Sequence, residues 1–422
     1  MLIKNADVYD PYKMREFKAD ILVEKGIIKA VLPENSDLRD EQIIDASGCI
    51  LVPGFTDVHV HFRDPGFTQK EDIYTGAMAA ARGGYTDVVL MANTKPATDN
   101  PQTLDYVLNK GRETGINVHA CGAVTMGLSG EKLTDMHKLN ELGAIGFTDD
   151  GIPLMDENLL KEAMEICAAL DVPISLHEED KRLISENGIN KGKASEYYNI
   201  TGSPSEAEYT LIERDVSIAL ETKVKLNVQH ISTKEGVDIV RKARKISNNI
   251  YAEVTPHHLA LTEEAVIKYG ANAKMNPPLR TNEDRLAILE GIKDKTVTIL
   301  ATDHAPHTKE EKSGPITQAP SGIIGLETAF SVAYMNLVKN NVISLMDLLE
   351  MMCVNPRKLY KLPDAAVIEG NPADFAIIDL NAEYVYNDSC SKAFNTPFAG
   401  SKLQGLVKWT VCKGQIVWRS KE

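Results

Sequence analysis

The sequence lacks the marks of a secreted, membrane-bound or disulfide-stabilised protein. No apolar run is long enough to span a bilayer, and the N-terminal stretch MLIKNADVYD carries charges and has no apolar core of a signal peptide. The six cysteines are scattered and form no CxxC pair: Cys49, Cys121, Cys167, Cys353, Cys390 and Cys412. We therefore expect reduced, mostly buried thiols and a cytoplasmic location.

Positive charge is also scarce. The chain has 46 Lys and Arg residues against 60 Asp and Glu residues, which gives a formal net charge of -14. This balance argues against broad binding of nucleic acid or of an anionic membrane. An anionic small substrate is compatible with it, because a local arginine or a metal ion can reverse the field inside one cleft.

The two ends of the chain share a β-rich character. The segment ADILVEKGIIKAVLP has β-branched runs on both sides of Lys25-Gly26, which predicts a hairpin. The C-terminal run LVKWTVCKGQIVW repeats this pattern around a second Lys-Gly turn. We predict one small β-sandwich domain built from residues 1–52 and 361–422.

The middle of the chain, residues 53–360, alternates short apolar runs with stretches of helical spacing such as DENLLKEAMEICAALD. Eight such βα units predict a (β/α)8 barrel of the TIM type. The eight runs are CILVPGFTDVHVHF, TDVVLMANT, INVHACGAV, AIGFTDDG, VPISLHEED, VKLNVQHIS, IYAEVTPHH and VTILATDHAPH. The segment 308–322 is rich in Pro, Gly and charge and is predicted to be a mobile lid or binding loop.

Candidate metal ligands fall at the ends of five of these runs. They are His59 and His61 on the first run, Asp149 and Asp150 on the fourth, His177 on the fifth, His230 on the sixth and Asp303 on the eighth. The carboxyl ends of barrel strands meet on one face, where active sites lie. His59 and His61 stand two apart on a strand, so their side chains are expected to point to the same face.

The candidate ligands offer imidazole and carboxylate groups and no thiolate. Such a set suits Zn²⁺ in an open catalytic site, with Mn²⁺ or Co²⁺ as substitutes. Four histidines, Asp303 and one aspartate of the Asp149-Asp150 pair exceed what one tetrahedral ion needs. We therefore predict two ions, bridged by a carboxylate and a hydroxide.

Longer motifs occur in a fixed order along the chain: GFTDVHVHFRDPG, MANTKPATDNP, GFTDDG, HEED, EVTPHHL, MNPPLR, ATDHAPHT and NTPFAG. In these motifs, and over essentially its whole length, the chain resembles the dihydroorotases of the amidohydrolase superfamily. GFTDDG resembles the branch in which an aspartate bridges the metals, whereas other branches and the related hydantoinases use a carboxylated lysine. AIGFTDDGIP has no lysine. The family pattern favours Asp150 as the bridge, with Asp149 as the alternative.

The resemblance implies a role for each candidate residue. His59 and His61 would bind one metal and His177 and His230 the other, while Asp303 would touch a metal and transfer the proton. The residues implied to contact substrate are Arg63, Asn93 and His61 at its carboxylate, Asn276 and His307 elsewhere, and Ser321 and Gly322 at the ring.

Two positions depart from the family pattern. Ala92 stands where Pro is common, which changes a turn but removes no functional side chain. Ser321 stands where an aromatic residue is common, so only a backbone contact is expected to survive there.

Other polar residues near the motifs are expected to be structural. His257 and His258 should support the site, because the ligand set is complete without them. His304 should point away from the site, since it follows Asp303 on the same strand. The acidic run of residues 178–180 is expected to be a solvated connection between a strand and a helix.

The resemblance implies reversible, zinc-dependent hydrolysis of L-dihydroorotate to N-carbamoyl-L-aspartate, a step of pyrimidine biosynthesis, with two Zn²⁺ ions per subunit. A homodimer and an association with aspartate transcarbamoylase are the partner hypotheses. Two other functions stay open. One is another cyclic amidase, such as an allantoinase or a hydantoinase, which the missing lysine argues against. The other is a non-catalytic subunit that scaffolds aspartate transcarbamoylase, which the complete ligand set argues against.

Overall fold

The computed structural model describes residues 1–34, 36–38, 40, 42–186 and 188–421. These residues form fifteen strands: β1 (Leu2–Asp10), β2 (Arg15–Glu24), β3 (Ile27–Leu32), β4 (Ile43–Asp45), β5 (Ile50–Pro53), β6 (Phe55–Val60), β7 (Tyr85–Leu90), β8 (Asn117–Ala120), β9 (Pro173–Leu176), β10 (Lys225–Val228), β11 (Ile250–Val254), β12 (Ile299–Leu300), β13 (Phe375–Val385), β14 (Lys402–Cys412) and β15 (Gln415–Arg419).

The described residues also form fourteen α-helices: α1 (Ile73–Arg82), α2 (Pro101–Arg112), α3 (Met136–Glu141), α4 (Glu157–Leu170), α5 (Lys193–Tyr198), α6 (Glu206–Thr222), α7 (Lys234–Arg244), α8 (Pro256–Ala260), α9 (Glu264–Tyr269), α10 (Asn282–Lys293), α11 (Lys309–Lys312), α12 (Ala329–Ala333), α13 (Leu345–Leu349) and α14 (Asn355–Tyr360). Short 3-10 helices lie at Met126–Leu128, Lys181–Leu183 and Gly270–Ala273, and π-helical turns at Tyr334–Val338 and Glu350–Val354.

The strands near the two chain ends form one sheet, in the order β15-β14-β13-β5-β1-β2-β3, with β4 beside β1. Both Lys-Gly turns occur as predicted: Gly26 joins the antiparallel β2 and β3, and Gly414 joins β14 and β15, each with a positive φ that favours glycine. The two turns meet at Ala373. Its N–H donates to the Gly26 carbonyl (2.9 Å), and its carbonyl accepts from the Gly414 N–H (3.1 Å). The sheet therefore curls around a small core built from both ends of the chain.

The barrel is held together by two parallel sheets and by isolated β-bridges, each formed by one pair of residues, that join the sheets. Strands β6 to β8 and β9 to β12 form two parallel sheets. Phe147 bridges to Gly122 after β8 and to Ile174 in β9, and Val60 in β6 bridges to His304 beyond β12. The ring thus has eight parallel members, which confirms the predicted (β/α)8 barrel. Its fourth member, from the run AIGFTDDG, consists of the Phe147 bridges alone.

The chain passes from the small sheet into the barrel at Gly54. Strand β5 ends at the residue before it, and β6 begins at the residue after it. A Cβ at Gly54 would lie 2.2 Å from Oγ1 of Thr86, so a larger residue would clash here. The first predicted run, CILVPGFTDVHVHF, is therefore divided between the small sheet and the barrel. The part in the barrel ends in the two histidines, His59 and His61. The domain limits at residues 52/53 and 360/361 stay a prediction.

Helix α4 shows how the outer ring attaches to the barrel. Its cap, Asp156, accepts hydrogen bonds from the N–H groups of the first turn, and Asp171 ends the helix in the left-handed conformation. The residues it buries follow helical spacing: Leu160, Ala163, Met164 and Cys167.

Two observations bear on the expectations about compartment. Within the described ranges, no helix is both long and apolar enough to cross a membrane. All six cysteines are free thiols, and five of them are buried, as expected from their scattered spacing.

Candidate active site

His59 in β6 and His61, the residue after its end, turn toward the same pair of carboxylates. The Nε2 of His59 lies 3.4 Å from Oδ1 of Asp150 and 3.6 Å from Oδ1 of Asp303. The Nε2 of His61 lies 3.4 Å from Oδ2 of Asp150 and 3.0 Å from Oδ1 of Asp303. Strand alternation puts residues i and i+2 on one face, and this is what brings both rings to one place.

A second pair of histidines meets the same aspartate. The Nδ1 of His177, just after β9, lies 3.0 Å from the Nε2 of His230, which follows β10. That Nε2 is 4.0 Å from Oδ1 of Asp150. Asp150 thus belongs to two groups of potential ligands, one with His59 and His61 and one with His177 and His230. In each group the ligand atoms lie within 4.8 Å of one another.

The cluster fits a bound cation. The Nε2 of His59 is buried without a hydrogen-bond partner. Burial alone would lower the pKa of His59, but the carboxylates of Glu253 and Asp150 raise it well above its usual range. Burial would likewise raise the pKa of Asp150, but His59 and His61 hold it well below its usual range. The buried carboxylates therefore require positive charge, and imidazole and carboxylate atoms are suitable ligands for a divalent ion.

The two neighbouring aspartates of GFTDDG have different surroundings. Asp149 accepts hydrogen bonds from the backbone N–H of Val124 (2.7 Å) and of Thr125, and from the Thr125 hydroxyl. Burial raises the pKa of Asp149 to about 6, although these bonds oppose the rise. Its carboxylate is thus used to hold a loop, whereas that of Asp150 faces the histidines.

Three residues of the site have left-handed backbone conformations. Positive φ angles occur at Arg63 (57°), His230 (31°) and Asp303 (47°). Such angles are uncommon for residues with a Cβ and are concentrated at functional sites. In this barrel they occur at the ends of strands, where they direct each side chain toward the cluster.

A cavity of about 140 Å³ opens over the cluster. Most of the residues predicted to form the site line it: His61, Arg63, Asn93, Asp150, His177, His230, Asn276, Asp303, Ser321 and Gly322. His59 lies beneath this wall. His307 lies behind it, with its Nε2 2.8 Å from the Ser321 carbonyl and 3.5 Å from a guanidinium nitrogen of Arg63.

The residues predicted to contact substrate already make hydrogen bonds to neighbouring groups of the protein. The Nε of Arg63 donates to the Pro306 carbonyl at 3.3 Å, and burial lowers the pKa of its guanidinium although nearby carboxylates oppose this. The amide of Asn93 lies between two cluster residues, 2.9 Å from Nδ1 of His61 and 2.9 Å from Oδ2 of Asp150. The amide of Asn276 lies 3.2 Å from Nε2 of His177. Both asparagines therefore also orient groups of the cluster.

One residue of the site was missed by sequence reasoning. Glu253, the fourth of the five residues of β11, is fully buried. Its Oε1 lies 2.5 Å from Nδ1 of His59 and accepts from the backbone N–H of His230 at 3.2 Å, and its Oε2 accepts from Asn227. A carboxylate inside the apolar run IYAEV is the signal that could have identified it, because buried charges are nearly always paired.

The expectation of a solvated acidic run after β9 is wrong. Glu178, Glu179 and Asp180 are at most 4% exposed. Glu179 lies 3.3 Å from Nε2 of His177, and burial followed by the charge of Asp215 raises the pKa of Glu178 well above its usual range. The run turns inward, where the N–H of Asp180 donates to the carbonyl of Ala207 in α6 at 2.7 Å and Glu179 accepts from the Ser203 hydroxyl at 3.1 Å.

His258 and His304 bind backbone and neighbouring polar groups. His258 contacts the Thr255 hydroxyl (2.8 Å) and the Pro277 carbonyl (3.1 Å). His304 contacts Glu71 at 3.4 Å and accepts from the Gly325 N–H, so its ring turns away from the cluster. The Nε2 of His257 is buried without a partner.

Comparison with known proteins gives a match to one family model and full-length matches to relatives. A family model described as dihydro-orotase-like matches residues 48–236. A dihydroorotase of Clostridium acetobutylicum is 47% identical over 423 residues, and one of Clostridioides difficile is 48% identical over 420 residues, with 100% of both chains covered in each case. A dihydroorotase of Streptococcus pneumoniae is 46% identical, again with 100% coverage of both chains.

Solved structures share the fold at lower identity. The L-hydantoinase of Arthrobacter aurescens superposes with a TM-score of 0.89 at 24% identity, covering 100% of this chain and 96% of its own. The dihydropyrimidinase of Brevibacillus agri gives 0.86 at 22% identity, covering 100% and 95%. These two likenesses support the fold alone, while the full-length sequence matches establish the relationship. The chain belongs to the dihydroorotase family of metal-dependent hydrolases.

Proposed function

We propose that the chain catalyses the reversible hydrolysis of L-dihydroorotate to N-carbamoyl-L-aspartate, in pyrimidine biosynthesis. One observation carries the proposal: four histidines and two aspartates converge under a cavity whose wall also holds Arg63. A planar guanidinium can bind a carboxylate through two hydrogen bonds. The site thus offers a hydrolytic centre beside a place for an anionic group, and both compounds are anions.

We assign two Zn²⁺ ions to each subunit. His59, His61 and Asp303 would hold one ion, His177 and His230 the other, and Asp150 would bridge them. The absence of thiolate among these residues suits a catalytic rather than a structural zinc site. When bound, such ions supply a Lewis acid for the amide carbonyl and lower the pKa of water.

The chain's own residues position the substrate and move the proton. Arg63 would bind the carboxylate, with Asn93 and His307 on either side of it, and Asn276 with Ser321-Gly322 would contact the ring. In the hydrolytic direction the Asp303 carboxylate accepts a proton from the attacking water. It then delivers that proton to the departing ring nitrogen, acting as base and then as acid.

A direct assay tests the proposal. Purified protein of known metal content is incubated with L-dihydroorotate, allantoin and hydantoin, and with N-carbamoyl-L-aspartate for the reverse direction. We expect turnover of the dihydroorotate pair together with about two zinc ions per chain. Turnover of allantoin or hydantoin alone would contradict the proposal and favour another cyclic amidase. Absence of turnover and of stoichiometric metal would favour a scaffolding subunit.

The geometry favours dihydroorotate over the hydantoins. Hydantoin carries no carboxylate, so the buried guanidinium of Arg63 would remain unpaired against it, which is costly for a buried charge. In addition, the position that would hold a carboxylated lysine in the hydantoinases carries Asp150.

We also propose a homodimer that works in the cytoplasm, with aspartate transcarbamoylase as a candidate partner. The six free thiols agree with a reducing compartment. Light scattering of the purified chain, and co-purification from cells, test the assembly. A monomer that recovers no transcarbamoylase would contradict both partner proposals.

A further inference from the structure

Two buried lysines lie under the loop that carries Ser321 and Gly322. Lys274 is 3% exposed and Lys312, the last residue of α11, is 8% exposed. Lysine is rarely this buried, because its ammonium loses hydration. A methionine or leucine would fill the same space without that cost, so the charges call for an explanation.

The partners of both ammonium groups are backbone carbonyls, and most belong to this one loop. Lys312 donates to the carbonyls of Pro320 (2.8 Å) and Gly322 (2.8 Å), and more weakly to that of Lys274 at 3.4 Å. Lys274 donates in turn to the carbonyls of residues 316 and 319, at 2.8 and 2.7 Å. Its own carbonyl accepts from the Gly322 N–H at 3.0 Å. Two cations therefore fix four carbonyls of residues 316–322.

This anchored segment forms part of the wall of the active-site cavity. Ser321 and Gly322 line the cavity, and the Ser321 carbonyl lies 2.8 Å from His307. A Cβ at Gly322 would lie 3.2 Å from Nε2 of His307 and 2.7 Å from Cβ of Ala305, so the backbone itself approaches the wall closely. A loop that moved would take this part of the wall with it.

The lysines also place positive charge on the Arg63 side of the cavity. Burial lowers the pKa of Lys312 to about 7, and repulsion from Lys274 and Arg63 contributes to the lowering. Lys312 is thus close enough to both Lys274 and Arg63 to be repelled by them, and the carboxylate of Glu311 offsets part of this repulsion. An anion bound there would relieve that repulsion.

We infer that Lys274 and Lys312 are positioning residues, which hold residues 316–322 in the conformation that contacts an anionic substrate. The inference rests on the proposed function for the identity of that substrate. Of the two expectations for residues 308–322, a mobile lid or a binding loop, the inference favours the binding loop at 316–322, because a wall held in place by two lysine side chains does not need to close. Preorganisation of this kind lowers the cost of binding.

Substitution of each lysine by methionine tests the inference. In Lys274→Met and Lys312→Met we expect the KM for L-dihydroorotate to rise about tenfold or more, as for lost hydrogen bonds to a charged donor. The kcat should fall less than about threefold, because Asp303 and the metal ligands are untouched. Amide hydrogen exchange of 316–322 in the substrate-free protein should become faster. Lys309→Met, at an exposed lysine of the same helix, is the matched control.

The exchange rates and the KM values together distinguish a positioning role of the two lysines from a role in stability alone. Unchanged exchange and unchanged KM in both variants would overturn it. Faster exchange without a change in KM would also overturn it, because the lysines would then serve only stability. If Lys312→Met fails to fold, Lys312→Gln keeps two N–H donors without the charge and should show a smaller rise in KM. Failure of the wild type to turn over dihydroorotate would refute the proposed function, whereas the exchange measurement would still decide whether the lysines anchor the loop.

Discussion

The buried carboxylate of Glu253 should control how tightly the site holds its metal. Its two oxygens accept three hydrogen bonds, from the ring of His59, the backbone N–H of His230 and the side chain of Asn227. The bond to Nδ1 of His59 fixes the ring so that Nε2 faces Asp150. It also makes Nε2 a stronger ligand, because a negative acceptor raises the basicity of the imidazole.

The substitution Glu253→Gln keeps the shape of the side chain and removes its charge. An amide has one acceptor oxygen, so its NH2 group must face at least one of the three donors. Loss of such an outer contact typically weakens metal binding about 10- to 100-fold, which corresponds to about 1.4–2.7 kcal/mol. Glu253→Ala should be worse, because each buried donor left without a partner costs about 1–3 kcal/mol.

The assay is competition for zinc between the metal-depleted protein and a chromophoric chelator. We expect a weaker dissociation constant for Glu253→Gln, and kcat within about threefold of wild type once metal is saturating. Glu327→Gln controls for neutralising a buried carboxylate elsewhere, since Glu327 binds Tyr386 and the Cys390 N–H, away from the cluster. Equal zinc affinities of Glu253→Gln, Glu327→Gln and wild type would refute the reasoning.

Three further outcomes are expected. Asp303→Ala should lower kcat by about 10²–10⁴-fold or more, with the circular dichroism spectrum and most of the metal retained; substantial remaining activity would contradict its role in proton transfer. Arg63→Lys should raise the KM for dihydroorotate about tenfold, because an ammonium cannot bind a carboxylate bidentately, and an unchanged KM would place the carboxylate elsewhere. Burial lowers the pKa of His258 from 6.5 to about 4. The folded state holds His258 neutral, so the stability that this residue contributes is fully present above pH 6.5. It is lost as the pH falls toward 4, because the unfolded chain takes up the proton first, and the loss amounts to up to about 3 kcal/mol. The melting temperature of His258→Gln should accordingly fall less over that range than those of wild type and of the control His137→Gln, and parallel curves would contradict this.

The sequence was most informative where regular spacing coincides with function. Alternation of apolar runs and helical stretches predicted the barrel, and ligands at strand ends predicted the cluster, because parallel strands bring their carboxyl ends together. The Lys-Gly turns predicted both hairpins, since only a few residue types accept positive φ at low cost.

Tertiary burial of polar groups could not be predicted in this way. The run of residues 178–180 looks like a solvated turn, yet its three acidic residues are at most 4% exposed. Glu253 and Lys274 are buried charges whose partners lie at least 23 residues away in sequence, whereas Lys312 binds carbonyls 8 and 10 residues further along the chain. The fourth barrel member pairs through one residue, so local β propensity gives only a weak signal for it.

The seam of the barrel has a consequence for how the site is assembled. The bridge between Val60 and His304 joins the first and last barrel strands, and the N–H of His61 donates to the His304 carbonyl across it at 2.9 Å. His61 and Asp303 face each other at this join, 3.0 Å apart. The hydrolytic centre therefore arises only when the ring closes, late in a folding reaction dominated by non-local contacts. A fragment that ends before β12 can contain five of the six proposed ligands. It still lacks Asp303, the residue across the seam on which proton transfer depends.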